Sequence, residues 1–263
     1  MEPFLLAIPC GLVLGFALGA MGGGGAVLSL PVLIYVLGQD VHSATTASLV
    51  IVAGSALVSA GKLGRDGLVC WRVALLYAAT ATVGTLFGTI ANQAVGARLL
   101  LLLFVPVLLA AAFAIWWKSG SEDPKAVARG HACPPLRPRV TGPLGLGVGL
   151  LTGFFGVGGG FIIVPTLAVV LQMSMRQAIA TSLVVIFLVS MVGLGGHLVA
   201  GSTPDWGLTL TLTAAGAGGA LLGATVAGYL PQALLARIFA SLLTCVALYL
   251  LLDALVLGGA AAS

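Results

Sequence analysis

Gly22-Gly23-Gly24-Gly25-Ala26-Val27-Leu28-Ser29-Leu30-Pro31 breaks a long apolar stretch near the start of the chain, and Gly156-Val157-Gly158-Gly159-Gly160-Phe161-Ile162-Ile163-Val164-Pro165 breaks another 134 residues later. The match continues upstream without a gap, Gly15 and Gly19 meeting Gly149 and Gly153. Inside a helix each glycine costs about 1 kcal/mol against alanine, so three or four together interrupt one. In lipid, backbone released from a helix must find partners in surrounding protein or in a polar cavity. Paired breaks at corresponding places in two halves of a chain point to the binding site of a transporter.

Composition sets the class. Hydrophobic residues make up 60% of the 263, charged residues 7%, and the mean hydropathy is +1.18. A soluble domain carries about 25% charged residues. The chain therefore reads as an all-α polytopic membrane protein whose first partner is the lipid bilayer. The net charge of +4 comes from basic residues in short loops between apolar spans and does not point to nucleic acid. Met1-Glu2-Pro3-Phe4 opens without a basic region, so the first apolar segment is expected to stay in the mature protein. The four cysteines, Cys10, Cys70, Cys133 and Cys245, lack metal-ligand spacing. Cys10 and Cys245 fall within apolar spans and read as packing residues. The stretch from His131 to Cys133 offers two ligands and reads as an ordinary loop. No metal and no cofactor are expected.

Taken in order, residues 4–20 and 26–38 flank the first break, and 43–62, 71–92 and 98–117 each suit a spanning helix. A charged, proline-rich segment follows. Beyond it lie a second broken stretch at 142–173 and spans near 177–198, 206–228 and 234–257. This divides the chain into a first transmembrane repeat at 1–117, a linker at 118–139 and a second repeat at 140–263. Ala44, Ser48, Leu49 and Val50 match Ala178, Ser182, Leu183 and Val184 at the same offset. With one residue inserted, Trp71, Gly84, Leu86, Gly88 and Phe104 match Trp206, Gly219, Leu221, Gly223 and Phe239.

Charge orients the repeats, because cytoplasmic loops are rich in Lys and Arg. With each broken stretch a hairpin, each half crosses three times and the halves are inverted. A cytoplasmic linker then puts Lys62, Arg65, Arg72, Lys118, Lys125, Arg129, Arg137, Arg139, Arg176 and Arg237 inside and only Arg98 outside. A single crossing per broken stretch makes the halves parallel and moves Arg176 and Arg237 outside as well. The expected fold is two inverted repeats, each a glycine-broken helical hairpin plus three transmembrane helices, with both termini outside. Two full crossings per stretch give the same loop sides.

In that arrangement the glycine breaks meet near the midplane, where open backbone N–H groups and helix N-termini suit an anion. The expected substrate-binding residues are Gly22, Gly23, Gly24 and Gly25 with Thr46 and Ser48 from one half, and Gly156, Gly158, Gly159 and Gly160 with Thr181 and Ser182 from the other. Thr45 adds a further hydroxyl. Hydroxyls donate to an oxyanion without adding negative charge. Gly84/Gly88 and Gly219/Gly223 are small-xxx-small patterns and read as helix packing. No charged residue lies in the middle of an expected span, and no catalytic triad, zinc helix or nucleotide loop is present. An enzyme is therefore not expected, and ATP-driven transport by this chain alone is excluded.

Gly153-Phe-Phe-Gly-Val-Gly-Gly-Gly-Phe-Ile-Ile-Val-Pro165, followed by Ala178-Ile-Ala-Thr-Ser-Leu183, resembles the TauE/SafE family of sulfite-exporter-like membrane proteins. Gly22 to Pro31 with Ala44-Thr-Thr-Ala-Ser-Leu49 resembles the same pattern, so the likeness covers both halves. It implies an inner-membrane permease exporting small sulfur-containing anions such as sulfite or organosulfonates. Ala47 stands where the second half has Thr181, so the hydroxyl lining is expected to be lopsided. A homodimer stays open as the assembly. The competing class is a non-transport membrane scaffold or assembly factor, against which the short loops argue.

Overall fold

The computed structural model describes residues 2–39, 41–92, 97–119, 133–135, 137–155, 160–199 and 204–256. Among these the regular structure is helical, with no strand. The helices are α1 Glu2–Met21, α2 Gly24–Pro31, α3 Val41–Arg65, α4 Trp71–Asn92, α5 Ala97–Ser119, α6 Pro138–Phe155, α7 Gly160–Pro165, α8 Met175–Val199, α9 Trp206–Tyr229 and α10 Gln232–Val256. Five contain spans long and apolar enough to cross a bilayer: Ser43–Arg65, Trp71–Ile90, Met175–Gly196, Trp206–Tyr229 and Gln232–Tyr249. Leu75, Leu86, Phe87 and Ile90 on α4 and Leu210 and Leu222 on α9 are exposed. Such a surface suits lipid as its solvent. Trp71, Trp206 and Tyr229, exposed at helix ends, suit the headgroup region. The protein is a multi-pass membrane protein.

Both glycine-broken stretches continue past a proline into a π-helical turn, Val32–Val36 after Pro31 and Thr166–Val170 after Pro165. Proline has no N–H to give to the regular ladder, and the bonds beyond it reach one residue further back. Leu37 N–H donates to the Val32 carbonyl, and Leu171 N–H to that of Thr166. In the first stretch α2 turns back along α1. Gly25 lies against Leu14 and Leu18, while Leu33 joins Ala7 and Ala44 in one buried cluster. The result is a helical hairpin whose open end adjoins the start of α3.

The elements interleave. Helix α1 packs along α9, and α6 along α4. Gly11, Gly15 and Gly19 face Leu212, Gly216 and Ala220, while Gly145, Gly149 and Gly153 face Tyr77, Ala81 and Thr85. Residue numbers rise together, so each pair runs parallel. In return Gly219 and Gly223 sit on Leu12 and Phe16, and Gly84 and Gly88 on Leu146 and Leu150. Every contact in one seam has its counterpart in the other at the offsets of the sequence repeat. Without a Cβ at these positions backbone meets backbone, which is how membrane helices gain packing energy. Helix α3 also runs parallel to α9, Gly54 meeting Thr213 and Gly216 meeting Ser55. Helices α3 and α8 pack together between these pairs, and α5 packs on α10.

A disulfide joins Cys70, in the turn between α3 and α4, to Cys133, with a Cα–Cα separation of 5.7 Å. The sequence reading, which looked for cysteines close along the chain, missed this pair; 63 residues separate them.

Candidate anion site

The tip of the first hairpin is Gly22-Gly23. Gly22 closes α1, its N–H donating to the Leu18 carbonyl at 2.7 Å, and takes φ +74°, the left-handed region that glycine enters without steric cost. A Cβ there would stand 2.6 Å from Ser182 Oγ and 3.0 Å from the Ile179 Cα. Gly23 precedes α2, and its backbone touches that of Gly160, the first residue of α7. A Cβ on Gly160 would lie 2.9 Å from the Gly23 Cα and 2.9 Å from Ile186 Cδ1. The two glycine tips therefore meet, backbone against backbone, deep in the protein. Gly22, Gly23 and Gly160 are all buried.

Of the hydroxyls on α3 and α8, that of Ser182 reaches the first tip. Ser182 Oγ, fully buried, donates to the Ile179 carbonyl at 2.8 Å and to the Gly22 carbonyl at 3.3 Å, fastening the first tip to α8. Ser48 occupies the matching position on α3 and bonds Ser29 Oγ of α2 at 2.7 Å. Ser29 gives its own proton to the Ala26 carbonyl, so Ser48 is the donor of that pair. Thr181 Oγ1 accepts the Cys70 N–H at 3.2 Å, which ties the disulfide-bearing turn to α8. Thr46 is fully buried on α3.

Of the residues expected to bind substrate, Gly22, Gly23, Gly160 and Ser182 come together at the tips. Thr181 neighbours Ser182 on α8 and faces Cys70. Ser48 approaches α2 one helical turn beyond Gly25. Helix resumes at Gly24, so the break is shorter than the glycine run, and Gly25 faces the inside of its own hairpin. Gly156, Gly158 and Gly159 lie outside the described residues. Two partners were not singled out from sequence. Ser29 stands where the second half has Ile163, and that mismatch was the available signal; Cys70 gave none. The chemistry on offer is neutral. Hydroxyls and peptide N–H groups can bind a small anion, and no cluster of His, Cys, Asp or Glu among the described residues could hold a metal ion.

The family model described as Sulfite exporter TauE/SafE matches residues 7–250. A "Probable membrane transporter protein" of Xylella fastidiosa is 31% identical over 257 residues, 95% of each chain. Another from Bacillus subtilis, YdhB, is 28% identical over 85% of this chain and 90% of its own. One from Methanocaldococcus jannaschii is 28% identical over 75% of this chain and 74% of its own. No solved structure matches.

Proposed function

The chain belongs to the sulfite exporter TauE/SafE family and is a membrane transporter, and from that premise we propose that it is a secondary permease for a small oxyanion, sulfite or an organosulfur anion, in the bacterial inner membrane. The observation that carries the reading is the contact of the two glycine tips, Gly22-Gly23 on Gly160, with the Ser182 hydroxyl against the first of them. Peptide N–H groups uncovered by a helix break, beside neutral hydroxyls, favour an anion and repel no oxygen of it. Direction follows from membrane voltage. An interior-negative potential favours anion exit by about 2.3 kcal/mol per charge per 100 mV, so export needs no proton relay.

The repeats are inverted in this reading. Support comes from the registers: α1 runs parallel to α9, the fourth helix of the other repeat, and α6 runs parallel to α4. With α1 folded back at its tip and α3 again parallel to α9, the first repeat starts in the direction opposite to the second. Alternating access is then a rocking of one hairpin against the other about the tip contact. The cation count places the Lys62, Arg176 and Arg237 end in the cytoplasm.

Ligand-induced stabilisation tests the binding claim. The purified protein in detergent is heated with sulfite, thiosulfate, sulfoacetate or sulfate, with chloride as control. At an anion concentration 100 times Kd, binding adds about 2.7 kcal/mol to the folded state. The expected result is a raised unfolding midpoint with at least one sulfur oxyanion and none with chloride. Identical midpoints in all five overturn the assignment of substrate class.

A further inference from the structure

Three further polar groups of α3, Ser55, Ser59 and Lys62, continue the stripe that Ser48 begins and are not used by the site above. Ser48, Ser55, Ser59 and Lys62 are spaced by seven, four and three residues, which places them within one narrow stripe of the helix. Ser55 and Ser59 are 1% and 0% exposed, yet neither hydroxyl has a hydrogen-bond partner. Across the seam on α9, Thr209 is 0% exposed and its hydroxyl is equally unpaired. Ser55 Oγ points at α9, 2.7 Å from where a Cβ on Gly216 would stand. At the end of the stripe Lys62 Nζ donates to Thr225 Oγ1 of α9. Many helical threonines return their proton to their own helix, as Thr80, Thr85, Thr152 and Thr244 do, while Thr141 on α6 is a lone buried hydroxyl left unpaired. An unpaired hydroxyl in an apolar interior costs about 1–3 kcal/mol, so three along one seam ask for an explanation.

The repeat supplies the control. The equivalent seam, between α8 and α4, has the same helix positions filled without polarity. Val189, Gly193 and Gly196 stand for Ser55, Ser59 and Lys62, while Ala74 and Ile90 stand for Thr209 and Thr225. Ala74 is buried and Val189 and Gly193 half-buried, so packing at those three positions needs no hydroxyl, while Gly196 and Ile90 are exposed. Three unpaired donors aligned along one seam and leading to a lysine serve a ligand rather than the scaffold.

We infer that the anion travels along the α3–α9 seam, past the glycine tips, to the Lys62 end of the protein, with Thr209, Ser55 and Ser59 donating to it in turn and Lys62 attracting it at the mouth. The inference rests on the permease reading above and adds to it a path, a polarity and a cationic gate. A small oxyanion with several acceptor oxygens can bridge successive hydroxyls about 6 Å apart along the helix. The seam is closed in this structure, with Gly216 against Ser55, as alternating access requires of one face at a time.

The test uses the double variant Ser55→Ala/Ser59→Ala in the full chain, reconstituted in liposomes with radiolabelled sulfite as the probe. Val189→Ala on the equivalent seam is the control. Removing unpaired buried hydroxyls is expected to leave the unfolding midpoint unchanged or raised, while KM for sulfite rises about tenfold or more, as loss of hydrogen bonds to a charged ligand demands. Lys62→Gln, which keeps a donor for Thr225 and deletes the charge, is expected to slow flux, and Lys62→Arg to restore it. Val189→Ala keeps the wild-type KM. A double variant with wild-type KM and rate overturns the inference, and so does a lowered midpoint, which makes the hydroxyls structural. A wild-type protein that moves no sulfite overturns the permease reading for this anion and the route with it.

Discussion

Gly22→Ala probes the tip contact with a single methyl group. Two costs follow from the geometry. Gly22 sits at φ +74°, where an alanine pays about 1–2 kcal/mol. Its Cβ would also stand 2.6 Å from Ser182 Oγ and 3.0 Å from the Ile179 Cα. Ser182 can rotate away, but it then gives up the Gly22 carbonyl, worth about 1 kcal/mol, and the Ile179 backbone cannot rotate at all. The total is about 2–3 kcal/mol. Gly38 provides the matched control, because it has φ +62° and nothing within 4 Å of its Cβ position. Gly38→Ala therefore carries the backbone cost alone. Unfolding midpoints in detergent and sulfite flux in liposomes are measured for both variants and the wild type. Gly22→Ala should melt below Gly38→Ala and lose transport in the fraction that remains folded, whereas Gly38→Ala should transport normally. Equal midpoints, or wild-type flux in Gly22→Ala, refute the claim that the tip is closely packed and takes part in binding.

Other perturbations separate packing from binding. Gly84→Ala drives a Cβ to 2.8 Å from the Leu150 N and should lower the midpoint while leaving KM of the folded fraction intact, read from the same two assays. Asp205 caps α9 by accepting from the N–H groups of Gly207 and Leu208; Asp205→Ala should destabilise by about 0.5–2 kcal/mol and spare KM. Cysteine replacements at Arg176 and Arg237 should label only with reagents that reach the cytoplasm, and labelling of either from outside contradicts the inverted reading. The same face holds Cys70 and Cys133, and a reducing compartment keeps such a pair as thiols. In intact cells the exposed Cys133 should alkylate with a permeant maleimide, and its protection until reductant is added would place that face in an oxidising compartment instead.

Much of the fold could be read from the chain because lipid imposes few solutions. Each span from 43–62 onward is matched by a helix to within a few residues, since continuous apolar length is what both the reading and the bilayer respond to. Small-xxx-small pairs at Gly84/Gly88 and Gly219/Gly223 do form the close seams. Three things were not legible. The glycine run breaks for fewer residues than its length suggests, because α2 gains packing on Leu14 and Leu18 that outweighs the propensity cost at Gly24 and Gly25. The parallel partnership of α1 with α9 joins positions some 200 residues apart, and no local pattern records it. Pairing of Cys70 with Cys133 likewise depends on where the chain brings distant turns together. At the site, the sequence pointed to the tips and to Ser182, but a list of hydroxyls could not say that Ser48 turns to Ser29 or that Thr181 holds Cys70.

The central claim, a small oxyanion carried past two touching glycine tips, is tested most directly by flux through the purified protein. Liposomes loaded in turn with radiolabelled sulfite, thiosulfate, sulfoacetate or sulfate are given an interior-negative potassium diffusion potential, and efflux is followed against protein-free vesicles. The account predicts saturable efflux of at least one of these anions, accelerated by the potential and abolished by Gly22→Ala. Efflux no faster than from protein-free vesicles for all four, with correctly folded protein in the membrane, contradicts it.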